Sequence, residues 1–431
     1  MYTGPMNTQK IDQLRTLVAP IADLIGASSV LSWDQETMMP SGGTEARAHQ
    51  AGTLAALVHE RYTSRMLGDL LAEAAAEIPS ASRDGRIVAA LRRQYDQRTK
   101  LPAELVVRQT ELSARARDAW KTARSTSDFG VFAPFLSRQF EIAREAAEHL
   151  GYERNPYDAL LDRFEPGTSY EWIATRFRAL KPELQTLIER IAAAREADPE
   201  HDRIAGLAHR TVAPERQMSY GRTMAEVVGY DYHHGRLDVS AHPFTSGSSY
   251  LDVRLTTRVD PEYFPSCLFS CLHEAGHGIH NQRLSTDLYR IPIRYGLAIA
   301  ESQSRFYENM LGRSRAFWKP HFAAMQEEVP ELATVSPDEW YRAINAVRPS
   351  LIRVEADEVT YGMHIMLRFE LENALINGEI STDDLPGEWN ARMRQYLGVT
   401  PDNDAEGVLQ DIHWSQRSEE HTSELQSLLI I

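Results

Sequence analysis

The sequence predicts an all-α protein with one small antiparallel β-sheet. Three observations carry this reading. From residue 7 to about 200, apolar residues recur at helical spacing, as in Ile11, Leu14, Leu17 and Val18, among abundant Ala, Leu, Glu and Arg. Between 204 and 260 the text becomes turn-rich and β-leaning, with one alternating stretch at 251–257. From 262 to about 403 the helical pattern returns.

Taken in order, helices are expected over 44–71, with Thr44 as N-cap, then over 86–98 and 102–124. Breaks fall at 40–43, 78–80, 101–102 and 165–167, where Pro and Gly concentrate. A hinge at 162–169 divides an N-terminal helical layer, 1–165, from a second body, 166–416. The pair His233 and His234 reads as a polar turn, and the tryptophans read as core. The alternation at 251–257 gives a strand whose small sheet could hold an extended peptide by backbone pairing. No fixed-period repeat is present.

The 431 residues are 42% apolar and 25% charged, an ordinary globular balance. The net charge of −15 argues against nucleic acid and anionic membrane as partners. A substrate must therefore be drawn by a local basic pocket. No apolar run of transmembrane length and no apolar signal core is expected. Two cysteines, Cys267 and Cys271, imply no disulfide scaffold and a cytoplasmic setting. They read as small apolar thiols on a buried helix rather than as metal ligands.

Chemistry concentrates at His273, Glu274, Ala275, Gly276 and His277, an H-E-x-x-H match in a plausible helix. Residues four apart on a helix are offset by ~40° around the axis and ~6 Å along it. Two imidazoles so placed can bind one ion, with Glu274 able to reach a water on it. A second helical stretch, 300–309, presents Glu301 as a third ligand, with Glu308 two turns on as its rival. Phe306 and Met310 share a stripe of that stretch. His280 is left out as a surface or outer residue. A His-His-Glu set accepts one divalent metal, Zn²⁺ or Co²⁺.

Further elements give the chain a likeness. His242, Pro243 and Phe244 form H-P-F. Residues 252–258 form a D-x-R-x-T element. Glu301, Ser302 and Gln303 follow the metal motif. Residues 352–358, with Tyr361 and His364, form I-R-x-x-A-D-E-x-x-Y-x-x-H. Residues 407–414 form G-x-x-Q-D-x-H-W, and 32–40 are similar too. Together these resemble the carboxypeptidase Taq family of metal-dependent exopeptidases. The resemblance implies a helical body around a deep groove, peptide substrates, broad-specificity removal of C-terminal residues, and a homodimer. One departure stands out: Ala300 occupies the place where the family usually has His before the third ligand.

On this reading His273, His277 and Glu301 hold the metal and Glu274 is the general base. A C-terminal carboxylate calls for an arginine fork. Arg353 is the first candidate, against an internal ion pair with Glu355, Asp357 or Glu358. Arg254 and Arg258 are rivals that could equally face solvent. His242 could hydrogen-bond substrate or serve as a structural turn residue. Tyr361 or His364 could donate to an oxyanion or simply pack. Asp411 and His413 could be outer partners. The alternatives are an oligo-endopeptidase with the same site and a catalytically impaired helical interaction protein. Residues 417–431 resemble a translated sequencing adapter, so they are expected to be an artefact that replaces a natural C-terminal segment.

Overall fold

A computed structural model describes residues 5–293 and 296–415. The adapter-like tail, 417–431, lies outside the described residues, and so does the side chain of His413. Sixteen α-helices and a three-stranded sheet are present among the described residues.

The N-terminal half is α1 (Pro5–Thr37), α2 (Thr44–Tyr62), α3 (Arg65–Glu77), α4 (Arg83–Thr99), α5 (Ala103–Thr126), α6 (Phe129–Leu150), α7 (Pro156–Leu161) and α8 (Tyr170–Glu196). The expected helix 44–71 is two helices, because Ser64 starts α3 by accepting from the Leu67 amide. Thr44 is not the N-cap of α2. Gly43 holds that place, and the Thr44 hydroxyl donates to Asp118 on α5 instead.

Helix α1 also corrects the sequence reading. By length and composition it could cross a membrane, with a mean hydropathy of 1.4 over its most apolar window. Yet Ile11, Leu14, Val18 and Ile21 pack with Val58, Tyr62, Leu67 and Leu71 of α2 and α3, as in the core helix of a globular body. Only 28% of the window is buried, and Ala22, Asp23, residues 25–32, Gln35 and Glu36 of α1 line a cavity.

The largest apolar cluster joins α5, α6 and α7 to α15 (Tyr361–Ile376) and α16 (Leu385–Leu397), so residues on both sides of 165 share one core. Every residue of α15 except Glu370 is buried. Six of the seven tryptophans are buried; Trp172 is exposed beneath the Arg176 guanidinium, 3.4 Å from its ring centre.

The sheet is mixed rather than antiparallel. Its strands are β1 (Gly235–Val239), β2 (Thr245–Ser249) and β3 (Asp252–Thr257), in the order β1-β3-β2. A tight return makes β2 and β3 antiparallel. β3 then inserts beside β1 in parallel, pairing Leu237 with Leu255. The turn through Pro243 reverses the chain without pairing β1 to β2, so the central strand takes one neighbour of each kind. One face of this sheet supports α11 (Phe264–Gln282), with Leu255 and Val253 packed near Ala275.

Candidate metal centre and active site

α11 owes its place to its apolar residues. Phe264, Leu268, Phe269 and Leu272 are buried with Tyr220 and Met224 of α10 (Pro214–Val227), Trp318 and Phe322 of α13 (Arg315–Glu328), and Trp340 of α14 (Pro337–Ile344). That packing turns His273, Glu274 and His277 toward a cavity of ≈1540 Å³. α12 (Leu297–Arg305) runs beside it and presents Glu301, then opens into a π-helical turn, Phe306–Leu311, that carries Glu308. Such turns are frequent at functional sites.

Gly276 explains how the two helices come close enough. A Cβ there would lie 2.6 Å from the Ser304 Cα and 2.9 Å from the Gln303 carbonyl oxygen. Backbone therefore packs on backbone, and Glu301 spans the pair of imidazoles. One of its oxygens lies 3.2 Å from His277 Nε2 and the other 3.7 Å from His273 Nε2. The three ligand atoms fall within 4.8 Å of one another. Tetrahedral ligands at about 2.1 Å from an ion stand about 3.4 Å apart, so this donor set fits one.

Glu308 stands behind His273 rather than beside Glu301. Its Oε2 lies 2.8 Å from His273 Nδ1, which places the donor hydrogen on Nδ1 and leaves Nε2 for the ion. Burial alone would raise the Glu308 carboxyl, but Arg305, the His273 hydrogen bond and Arg313 hold it down at about 2. Burial would likewise lower His273. The Glu308 hydrogen bond and the charges of Glu301, Glu308 and Glu274 outweigh it and push His273 up to about 9 in the metal-free chain. Burial raises the Glu274 carboxyl, opposed by His273, His277 and a hydrogen bond from Thr245 Oγ1 to its Oε2 at 2.6 Å.

The other expected residues divide. Arg353, His242 and Tyr361 line the same cavity, as does the buried Ala300. Arg353 is buried, donates from Nη1 to the Tyr361 hydroxyl at 2.9 Å, and has Asp411 at 3.7 Å from Nη2. Its neighbours Glu355, Asp357 and Glu358 are not these partners; Glu355 pairs with Arg258, which is not among the cavity residues. Arg254 also stands apart. It chelates Asp252 at 2.8 and 3.0 Å and covers the Trp33 ring of α1, with its cross-strand neighbour Arg236 over the same ring. His364 is buried behind the wall and held neutral: burial and the Arg353 charge lower it to about 3, against a smaller opposing influence of the Ser350 backbone. Cys267 and Cys271 are buried free thiols on the inner face of α11.

Comparison with known proteins decides the family. The family model described as carboxypeptidase Taq (M32) metallopeptidase matches residues 13–418. The chain belongs to the carboxypeptidase Taq family. Carboxypeptidase 1 of Bacillus subtilis is 36% identical over 403 residues, covering 93% of this chain and 79% of the relative. Thermostable carboxypeptidase 1 of Thermus thermophilus is 37% identical over 409 residues, covering 91% and 79%. Among solved structures, the M32 carboxypeptidase of Deinococcus radiodurans superposes with a TM-score of 0.83 at 34% identity, covering 98% of this chain and 85% of that one. Metallocarboxypeptidase 1 of Trypanosoma cruzi gives 0.81 at 30%, covering 97% and 84%. This carboxypeptidase Taq member is thus a metal-dependent peptide hydrolase with the helical fold of its relatives.

Proposed function

We propose that this metallocarboxypeptidase removes C-terminal residues from peptides with broad specificity, using His273, His277 and Glu301 to hold one divalent ion, Zn²⁺ or Co²⁺. The observation that carries the reading is the convergence of those three side chains on the cavity that Arg353 also lines. An ion held there supplies Lewis acidity to the scissile carbonyl and acidifies a water. Glu274, beside the first of those histidines, is placed to accept a proton from the attacking water. Thr245 orients the carboxylate by donating to its Oε2, and the carboxyl later gives the proton to the leaving amine nitrogen. Burial keeps the carboxyl basic enough for both tasks. Arg353, oriented by Tyr361 and Asp411, receives the terminal carboxylate through its planar fork. His242 borders the substrate path. Arg254 and His364 are left with structural work. The two buried thiols and the acidic charge accord with a cytoplasmic enzyme and with peptide as the partner.

A pair of peptides tests this. The free-acid form should lose residues one at a time from its C-terminus, the amidated form should resist, and Arg353→Lys should raise KM for the free acid. Internal cleavage of the amidated peptide at a comparable rate would make the enzyme an endopeptidase instead.

A further inference from the structure

We propose that Glu165, in the turn between α7 and α8, is a positioning residue that fixes the helix bearing Glu301. The inference rests on the reading of Glu301 as a metal ligand. The N-cap of α12 is Gly296, which has no side chain to cap the first exposed amides. The cap comes from far away in sequence. Glu165 Oε2 accepts from the Ala298 backbone N–H at 3.1 Å. A carboxylate at this end of a helix is also favoured by the aligned peptide dipoles. Gly296 is shaped for it: a Cβ there would lie 2.6 Å from both Glu165 oxygens. Any other residue at 296 would push the carboxylate off the helix end.

The turn holding Glu165 is itself anchored. Asp162 Oδ2 accepts from Arg93 at 2.5 Å and from Gln97 at 3.0 Å, both on α4. Asp162 Oδ1 accepts from the Gly167 amide at 2.9 Å, and Gly167 takes the φ of +80° that closes the turn. α12 is therefore mounted at two points. Gly276 sets its distance from α11, and Glu165 sets its position along and around its own axis, only three residues before Glu301. Through Asp162 the second mount is tied to the helix whose Arg93, Gln94 and Gln97 line the cavity. The ligand carboxylate is thereby referenced to the groove wall as well as to the histidine helix.

The test measures metal affinity directly, by competition with a chromogenic chelator using Zn²⁺ and the full chain. Glu165→Ala should weaken the ion by about 10- to 100-fold, the range for loss of a residue that orients a ligand. Glu165→Gln, which keeps an acceptor, should recover most of it. Gly296→Ala should weaken binding similarly, and the double variant should be no worse than either single one, since both remove the same contact. At saturating Zn²⁺ the KM for a short peptide should stay at its wild-type value, which a general loosening of the groove would not allow. Wild-type Zn²⁺ affinity in Glu165→Ala, or additive losses in the double variant, would overturn the proposal. Glu301→Ala serves as reference: if it binds Zn²⁺ normally, the ligand assignment fails and the role of Glu165 falls with it.

Discussion

Replacing Gly276 with alanine probes how Glu301 reaches the two histidines. The added methyl would stand 2.6 Å from the Ser304 Cα, where carbon atoms pack comfortably at about 3.6 Å. Relief needs α12 to retreat by about 1 Å, since the opposing atoms are backbone and cannot rotate away. Two effects compete. Alanine is the better helix former by about 1 kcal/mol. Overpacking of a close helix contact costs about 1–3 kcal/mol. The steric cost prevails, so Tm should fall by a few degrees. The larger effect is functional: Glu301 moves with its helix, and about 1 Å of misplacement is worth about 10²-fold in turnover. Calorimetry, chelator competition and kcat on a short peptide would read the three quantities. Unchanged Zn²⁺ affinity and turnover, with or without a loss in Tm, would refute the idea that backbone contact at Gly276 sets the ligand distance.

Three further outcomes are expected. Glu274→Gln should retain the ion but lose about 10²-fold or more in kcat; a fully active variant would remove Glu274 from the reaction. Because His273 sits at about 9 without metal, uptake must expel a proton from Nε2. Apparent affinity should therefore climb about tenfold per pH unit toward pH 9 and then level, as potentiometric or chelator titrations would show. The same raised value adds stability to the metal-free protein below the unfolded pKa of 6.5, and that contribution is lost as pH rises through about 9, so its Tm should decline over this window. Arg254→Ala should lower Tm through the loss of its Trp33 and Asp252 contacts while leaving KM unchanged; a raised KM would return Arg254 to the substrate path.

Much of the centre could be read from the sequence because helical spacing is local. His273 and His277 share a face by arithmetic alone, and Glu301 follows in the next amphipathic stretch. Glu308 was visible only as a competitor. A seven-residue step returns a helix to nearly the same face, but the π turn carries Glu308 behind His273 rather than beside Glu301. Thr245 gave no signal, since its contact with Glu274 depends on how the sheet docks under α11. Arg254 was ambiguous for a related reason: alternation says which residues share a face, not what that face meets, and here it meets Trp33. α15 hid its functional side because nearly all of it is buried, so Tyr361 and His364 carry no periodic contrast. The parallel pairing of β1 with β3 is likewise invisible in strand text alone.

The incomplete burial of α1 has a thermodynamic counterpart. Ile25, Val30 and Leu31 are only partly buried and, with Val106, give the cavity an apolar stretch of wall. Folding leaves those side chains partly exposed. A peptide laid along that wall finishes the desolvation that folding began. Its association should therefore carry a negative heat-capacity change that grows with the number of apolar side chains in the peptide, and a calorimetric series across temperature would weigh how much of substrate capture is owed to this one helix.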